Sequence, residues 1–338
     1  MKRDQVKISV FAAVGALLVL ILDSRTAIEA AAEAVQVCIR TAIPSLFPFF
    51  VLSGLLVPYA SKVRLPGLGR LLGITPGWES IFILGCVGGY PVGAQCVAQG
   101  YRSGKLDRGQ AQRMLGFCTN CGPSFIFGIV GCAFAGFQAA VAIQVIHIVS
   151  ALFVGSLWPG ESEKGAAGSD MTPITLPQAV RQALRSMASV CAWIILGKVL
   201  LVFLNKWILG LLPENASLLV SGLLELTNGC LNLSQCGNDG IRFVMACVFV
   251  SFGGLCVTMQ VAALCQEAEL NWGSYLPQKA VQAGAAALLA SLYIYIPFAP
   301  MVSLGVIGFG SALLLPLCKK AVEIPAYVVY NRANKGGM

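Results

Sequence analysis

The stretch "GCVGGYPVGAQCVAQG" (85–100) has the apolar character of a membrane segment, yet carries Gly88-Gly89-Tyr90-Pro91 near its centre. Glycine weakens a helix by its conformational freedom, and proline removes a backbone donor, so an uninterrupted helix is not expected through this point. The segment 80–100 divides into halves of about eight residues, each about 12 Å long at helical rise. The hydrocarbon core of a bilayer is about 30 Å thick, so neither half crosses alone. Basic residues flank the segment on both sides: Lys62, Arg64 and Arg70 before it, and Arg102, Lys105, Arg108 and Arg113 after it. Positive charge favours the cytoplasmic face. Both flanks on one face require a re-entrant hairpin that enters from the cytoplasm and returns there, with the break as its tip.

The rest of the chain supplies the membrane context. Apolar runs recur near 8–22, 41–59, 114–136, 137–157, 187–210, 217–233, 241–265, 280–298 and 301–318. With 57 % hydrophobic and 11 % charged residues, this is the composition of a polytopic membrane protein. The first run, behind "MKRDQVK" and ahead of the small residues around Ala27 to Ala32, reads as a signal peptide or an uncleaved anchor, and the many spans that follow favour the anchor. Ile28, Ala31, Ala32, Val35 and Ile39 then recur at helical spacing opposite Glu29, Glu33 and Arg40, which suggests an interfacial helix. The thirteen Cys residues lie mostly in apolar segments and read as small buried side chains rather than a disulfide framework. Cys118 and Cys121 have a metal-like spacing, but the single His of the chain, His147, and the lack of a second such pair argue against a metal. His147 itself reads as a satisfied polar residue of helix packing.

A second apolar run breaks at Glu225, Thr227, Asn228 and Gly229, and its flanks "PENAS" and "SQCGNDG" hold no Lys or Arg. A hairpin entering from outside, over 217–236, fits that pattern. The resulting topology puts 18 basic and 9 acidic residues inside (+9) and 3 and 5 outside (−2), with Lys198, Lys206 and Glu225 in the spans. The net charge of +8 is thus an orientation signal, and nucleic acid is not an expected partner. The chain divides into an anchor and interfacial helix (1–40), a first repeat (41–157), a cytoplasmic linker (158–186), a second repeat (187–298), and a last span with a cytoplasmic tail (299–338). The second repeat reads as the first turned upside down, so the expected fold is all-α, built of two inverted repeats, an architecture of secondary transporters. The expected setting is a bacterial cell membrane, with both termini cytoplasmic.

Irregular backbone at membrane depth is tolerated where protein or a water-filled cavity satisfies it, so the broken places are expected to converge on a cavity. The candidate substrate-binding residues are Gly88, Gly89, Tyr90 and Pro91; Asn120, Gly122, Pro123 and Ser124; Thr227, Asn228 and Gly229; and Gly253, Gly254, Thr258 and Gln260. Half-helix N-termini facing such a cavity suit a small anionic substrate. Glu225 is a candidate ion-coupling or substrate-orienting group, because a buried ionisable residue in a membrane is a functional hypothesis by default. A hydrogen-bonded carboxyl that locks the hairpin is the structural alternative. Lys198, in "WIILGKVLLVF", either meets Glu225 or a substrate anion, or snorkels to the interface. No HExxH, GxSxG or Walker-type loop is present, so neither an enzyme nor a cofactor is expected. Coupling to H+ or Na+ and a homo-oligomeric state are both left open.

In order along the chain, "GGYPVGAQ", "FCTNCGPSFIFGIVG", "GLLELTNGC" and "FGGLCVTMQ" resemble the YlbJ-type sporulation integral membrane proteins. That group sits within a wider set carrying a nucleoside-recognition or gate domain, and the resemblance runs from about residue 35 to 320. It implies a relation to concentrative nucleoside transporters, two opposed hairpins around a central site, and transport of dipicolinate, a small aromatic dianion, during sporulation. The family's Asn-Thr-Ser before Gly-Pro is replaced here by Thr119-Asn120-Cys121, and its Ile/Val-His before Met-Gln by Val257-Thr258, which leaves the coupling ion open. The alternatives are a nucleoside or other small-metabolite transporter of the same fold, and a non-transporting sporulation membrane scaffold.

Overall fold

The computed structural model describes residues 3–60, 65–74, 78–134, 137–157 and 174–295, and the described residues contain helices and connecting loops without strands. Helix α1 (Arg3–Leu22) covers the first apolar run, 8–22, and its part Ala13–Leu22 is a short apolar helix. Helix α2 (Ser24–Val37) continues through a π-turn at Cys38–Ala42 into α3 (Ile43–Ala60). The segment expected to lie at the interface is therefore the first part of one long helix, and Ser24–Leu52 is itself long and apolar enough to cross a membrane. Its small residues explain this: Ala30 and Ala34 are buried, and Cys38 Sγ approaches the carbonyl of Cys191 on the helix α10 (Leu176–Trp207).

Between them come α4 (Pro66–Leu72), α5 (Ser80–Gly88), α6 (Val92–Arg102), α7 (Arg108–Cys118), α8 (Pro123–Gly128) and α9 (Phe137–Leu157). The apolar run 80–100 is two helices, and the chain turns back between them: Gly85 of α5 lies against Gly93 of α6. Eight residues along one straight helix would separate them by about 12 Å. Both glycines also face the Cys118 carbonyl at the end of α7, with no room for a β-carbon. The expected span 114–136 is likewise split, with extended backbone at Thr119 and Gly122 between α7 and α8.

Helix α10 begins at Leu176, with Thr175 and Gln178 forming a capping box, so the expected linker 158–186 is helical from Leu176 onward. Residues 158–173 of that linker, and 296–338 with the expected last span 301–318, lie outside the described residues. Then follow α11 (Glu214–Leu224), α12 (Leu226–Leu231), α13 (Asp239–Phe252), α14 (Gly254–Glu267) and α15 (Tyr275–Tyr295). A second reversal occurs at Glu225, since Gly229 of α12 packs on Gly222 of α11, which in turn fits under the Phe249 ring. Phe137–Leu157, Leu176–Trp207 and Asp239–Glu267 complete the four helical stretches long and apolar enough to cross a membrane among the described residues.

The two reversals open toward opposite ends of the α13–α14 path. At the end of α6, Arg102 donates to the Glu267 carbonyl (2.7 Å), the last residue of α14. At the other end, Arg242 near the start of α13 donates to the carbonyls of Cys236 (2.7 Å) and Ala133 (3.4 Å).

Candidate functional site

The tips of the two reversals meet at one cavity, whose empty space, mouth included, is about 550 Å³. Gly88, Gly89 and Tyr90 come from the first tip, and Glu225, Leu226 and Thr227 from the second. The break between α7 and α8 adds Cys121, Gly122 and Ser124, and the first turns of α14 add Cys256, Val257 and Gln260. Each tip rests on the break that follows it in sequence. Gly89, at φ 74°, lies against Gly122, and Gly254, at φ 79°, lies against the backbone of Leu226. Positive φ without a side chain is what permits these close backbone approaches. The first tip also reaches across: the Tyr90 hydroxyl donates to the Val250 carbonyl (3.0 Å) beside Gly253.

Glu225 is buried and caps α12, accepting from the backbone N–H groups of Thr227 (2.9 Å) and Asn228 (2.6 Å) and from Asn228 Nδ2 (2.6 Å). A carboxylate at a helix N-terminus satisfies orphan donors and opposes the positive dipole end. The sharp turn at Glu225 is thus held by its own side chain, which also lines the cavity. Its methylene Cγ packs on α10 at Gly197, where a β-carbon would come within 2.5 Å. Gln260 is buried, lines the cavity, and its Oε1 has no hydrogen-bond partner among the described residues.

Other expected site residues lie behind the wall. Asn120 donates to the Phe117 carbonyl (2.7 Å) and accepts from Gln282 (3.2 Å). Thr258 bonds back to the Gly254 carbonyl (3.1 Å), while Gly229 and Gly253 serve the close packing described above. Pro91 and Pro123 stand where α6 and α8 begin. Lys198 faces away from the cavity and pairs with Glu33 of α2 at 3.1 Å. A lysine one residue beyond Gly197, the position facing Glu225, points to a different side of α10.

Several residues that sequence reasoning passed over shape the same region. Phe50, Phe125 and Trp193 supply aromatic surface to the cavity. Trp193 was legible as a mid-span tryptophan, away from the membrane interface where the residue usually gathers. Lys279, counted among the cytoplasmic charges, is fully buried, because its flexible stem turns inward from the fifth residue of α15. Its Nζ donates to the Thr119 carbonyl (3.0 Å) and Gln282 Oε1 (2.6 Å). Arg113, counted likewise, is buried and donates to the carbonyls of Leu72 (2.6 Å) and Gly73. His147 accepts from the Cys121 N–H at Nε2 (3.0 Å), which puts its proton on Nδ1, 3.1 Å from Ser251 Oγ. That histidine joins the break of the first half to the end of α13.

Four helical stretches among the described residues that are long and apolar enough to cross a membrane define the class: an all-helical integral membrane protein. In sequence, the chain is similar to the sporulation integral membrane protein YlbJ of Bacillus subtilis (strain 168), at 25 % identity over 330 residues, 81 % of this chain and 79 % of the relative. No family model matches the chain, and no solved structure does.

Proposed function

We propose that the protein is a secondary transporter of a small organic anion, working by alternating access at a site near the bilayer midplane. In this reading α5–α6 and α11–α12 are re-entrant hairpins inserted from opposite faces, the first from the cytoplasm, within two inverted repeats. The observation that carries it is the meeting of both tips at one cavity, with the first helix break and the first turns of α14 completing its wall. Interrupted helices lining a midplane cavity are how transporters of inverted-repeat design hold a substrate. The opposite openings of the two reversals along α13–α14 support the same reading. The resemblance, and the relative's sporulation name, point to dipicolinate as the substrate and to a bacterial cell membrane as the setting. The aromatic surface of Phe50, Phe125 and Trp193 suits a planar ring.

A nucleoside is the second reading, favoured by one feature: the acceptor groups of Glu225 and Gln260 on the wall suit the hydroxyl and amino donors of a sugar and base. The two are separated by uptake of labelled dipicolinate beside labelled nucleosides into proteoliposomes holding the purified chain. Accumulation of dipicolinate supports the first reading, and accumulation of nucleoside alone the second. Failure with every small anion and nucleoside would favour a non-transporting membrane scaffold.

A further inference from the structure

Lys279 is a buried basic residue that the transport reading leaves without a task. It is fully buried, and no carboxylate among the described residues pairs with it. Instead its Nζ faces two oxygens, the Thr119 carbonyl and Gln282 Oε1, and lies 5.4 Å from the centre of the Tyr90 ring. The amide of Gln282 has a fixed orientation, because its Nε2 donates to Asn120 Oδ1 (3.2 Å) and the His147 carbonyl (3.4 Å). Two acceptors and an aromatic face are the surroundings of an ammonium with three donors. No carboxylate among the described residues pairs with the amine, so in its protonated form its charge is not neutralised locally. The Tyr90 ring lines the cavity, which leaves Lys279 one side chain behind the wall.

We propose that Lys279, in its protonated form, supplies positive charge to the cavity from behind Tyr90 and attracts the anionic group of a small carboxylate ligand. The proposal rests on the transport reading and deepens it: Glu225 brings an acidic group to the same wall, and Lys279 is the charge that lets an anion enter beside it. It also assigns Gln282 a positioning role, since its amide holds the ammonium toward Thr119 and the first tip.

Cys256, which lines the cavity, provides a local probe of that field. In the full chain with the other cysteines replaced, the rates of reaction of Cys256 with a negatively and a positively charged thiol reagent of similar size are compared. The ratio cancels any change in thiolate fraction, which affects both reagents alike. The negative-to-positive ratio is expected to fall about threefold or more in Lys279→Met and to be retained in Lys279→Arg. Lys279→Gln, which keeps a donor for the Thr119 carbonyl, gives the same comparison if the Met variant does not fold. An unchanged ratio overturns the proposal, and so does a Cys256 that neither reagent reaches. A ratio that falls in a protein that moves no anion would uphold the charge and count against transport; anion uptake with an unchanged ratio would do the reverse.

Discussion

At the scale of single residues, Glu225 and Tyr90 each tie a tip to its surroundings through a buried hydrogen bond. Removing the carboxylate in Glu225→Ala leaves the donors of Thr227 and Asn228 without their acceptor and is expected to lower stability by about 1–2 kcal/mol. The thermal midpoint of the purified protein in detergent checks this; an unchanged midpoint would mean that the turn holds without its cap. Tyr90→Phe keeps the ring but leaves the Val250 carbonyl unpaired, and is expected to destabilise by about 1–3 kcal/mol in the same measurement. Glu225 was legible in the sequence because an acid inside an apolar run is conspicuous. Lys279 was not, because it stands near the start of its helix beside Gln278, where a lysine ordinarily reads as a flank. Only packing reveals that its stem turns inward, toward acceptors 160 and 3 residues away.

At the scale of elements, glycine contacts set how closely the helices approach. Gly85 and Gly93 both press on the Cys118 carbonyl, a backbone atom that cannot rotate away. Gly85→Ala and Gly93→Ala are therefore each expected to cost about 1–3 kcal/mol or more by overpacking, lowering the yield of monodisperse protein on size exclusion. Gly237→Ala, at a position with nothing within 4 Å, is the control and is expected to behave as the parent. The breaks themselves were legible, since Gly-Gly-Tyr-Pro and Leu-Thr-Asn-Gly disrupt apolar runs by local chemistry. The extent of the flanking helices was less so: α10 starts at a capping box eleven residues before the apolar run expected at 187, because its first turns carry Arg181 and Arg185. Hydropathy marks where lipid or core begins, and a helix can extend past that point.

At the scale of the molecule, α10 binds the N-terminal helices through ion pairs at two levels. Lys198 meets Glu33, and Lys206 meets Asp23 at 2.7 Å, at the corner between α1 and α2. Both pairs are partly exposed and therefore contribute little, so Lys206→Met is expected to shift the thermal midpoint by no more than a few degrees. The scaffold holds chiefly by the small-residue packing of Ala30, Ala34 and Cys38 on α10. The charge pattern suggests opposed insertion of the two broken segments, although two of its cations, Arg113 and Lys279, are buried. Single members of a charge count can thus serve the interior instead of a loop.

The central claim is that two helical hairpins dip into the bilayer from opposite faces without crossing it, and sidedness tests it directly. Single cysteines at the exposed positions Arg70, Ser103, Asn215 and Gln235, in a chain without other cysteines, are labelled with a membrane-impermeant thiol reagent in vesicles of known orientation. Positions 70 and 103 are expected to label from the cytoplasmic face only, and 215 and 235 from the opposite face only. Labelling of 70 and 103 from different faces would make 80–100 a crossing segment and would contradict the account.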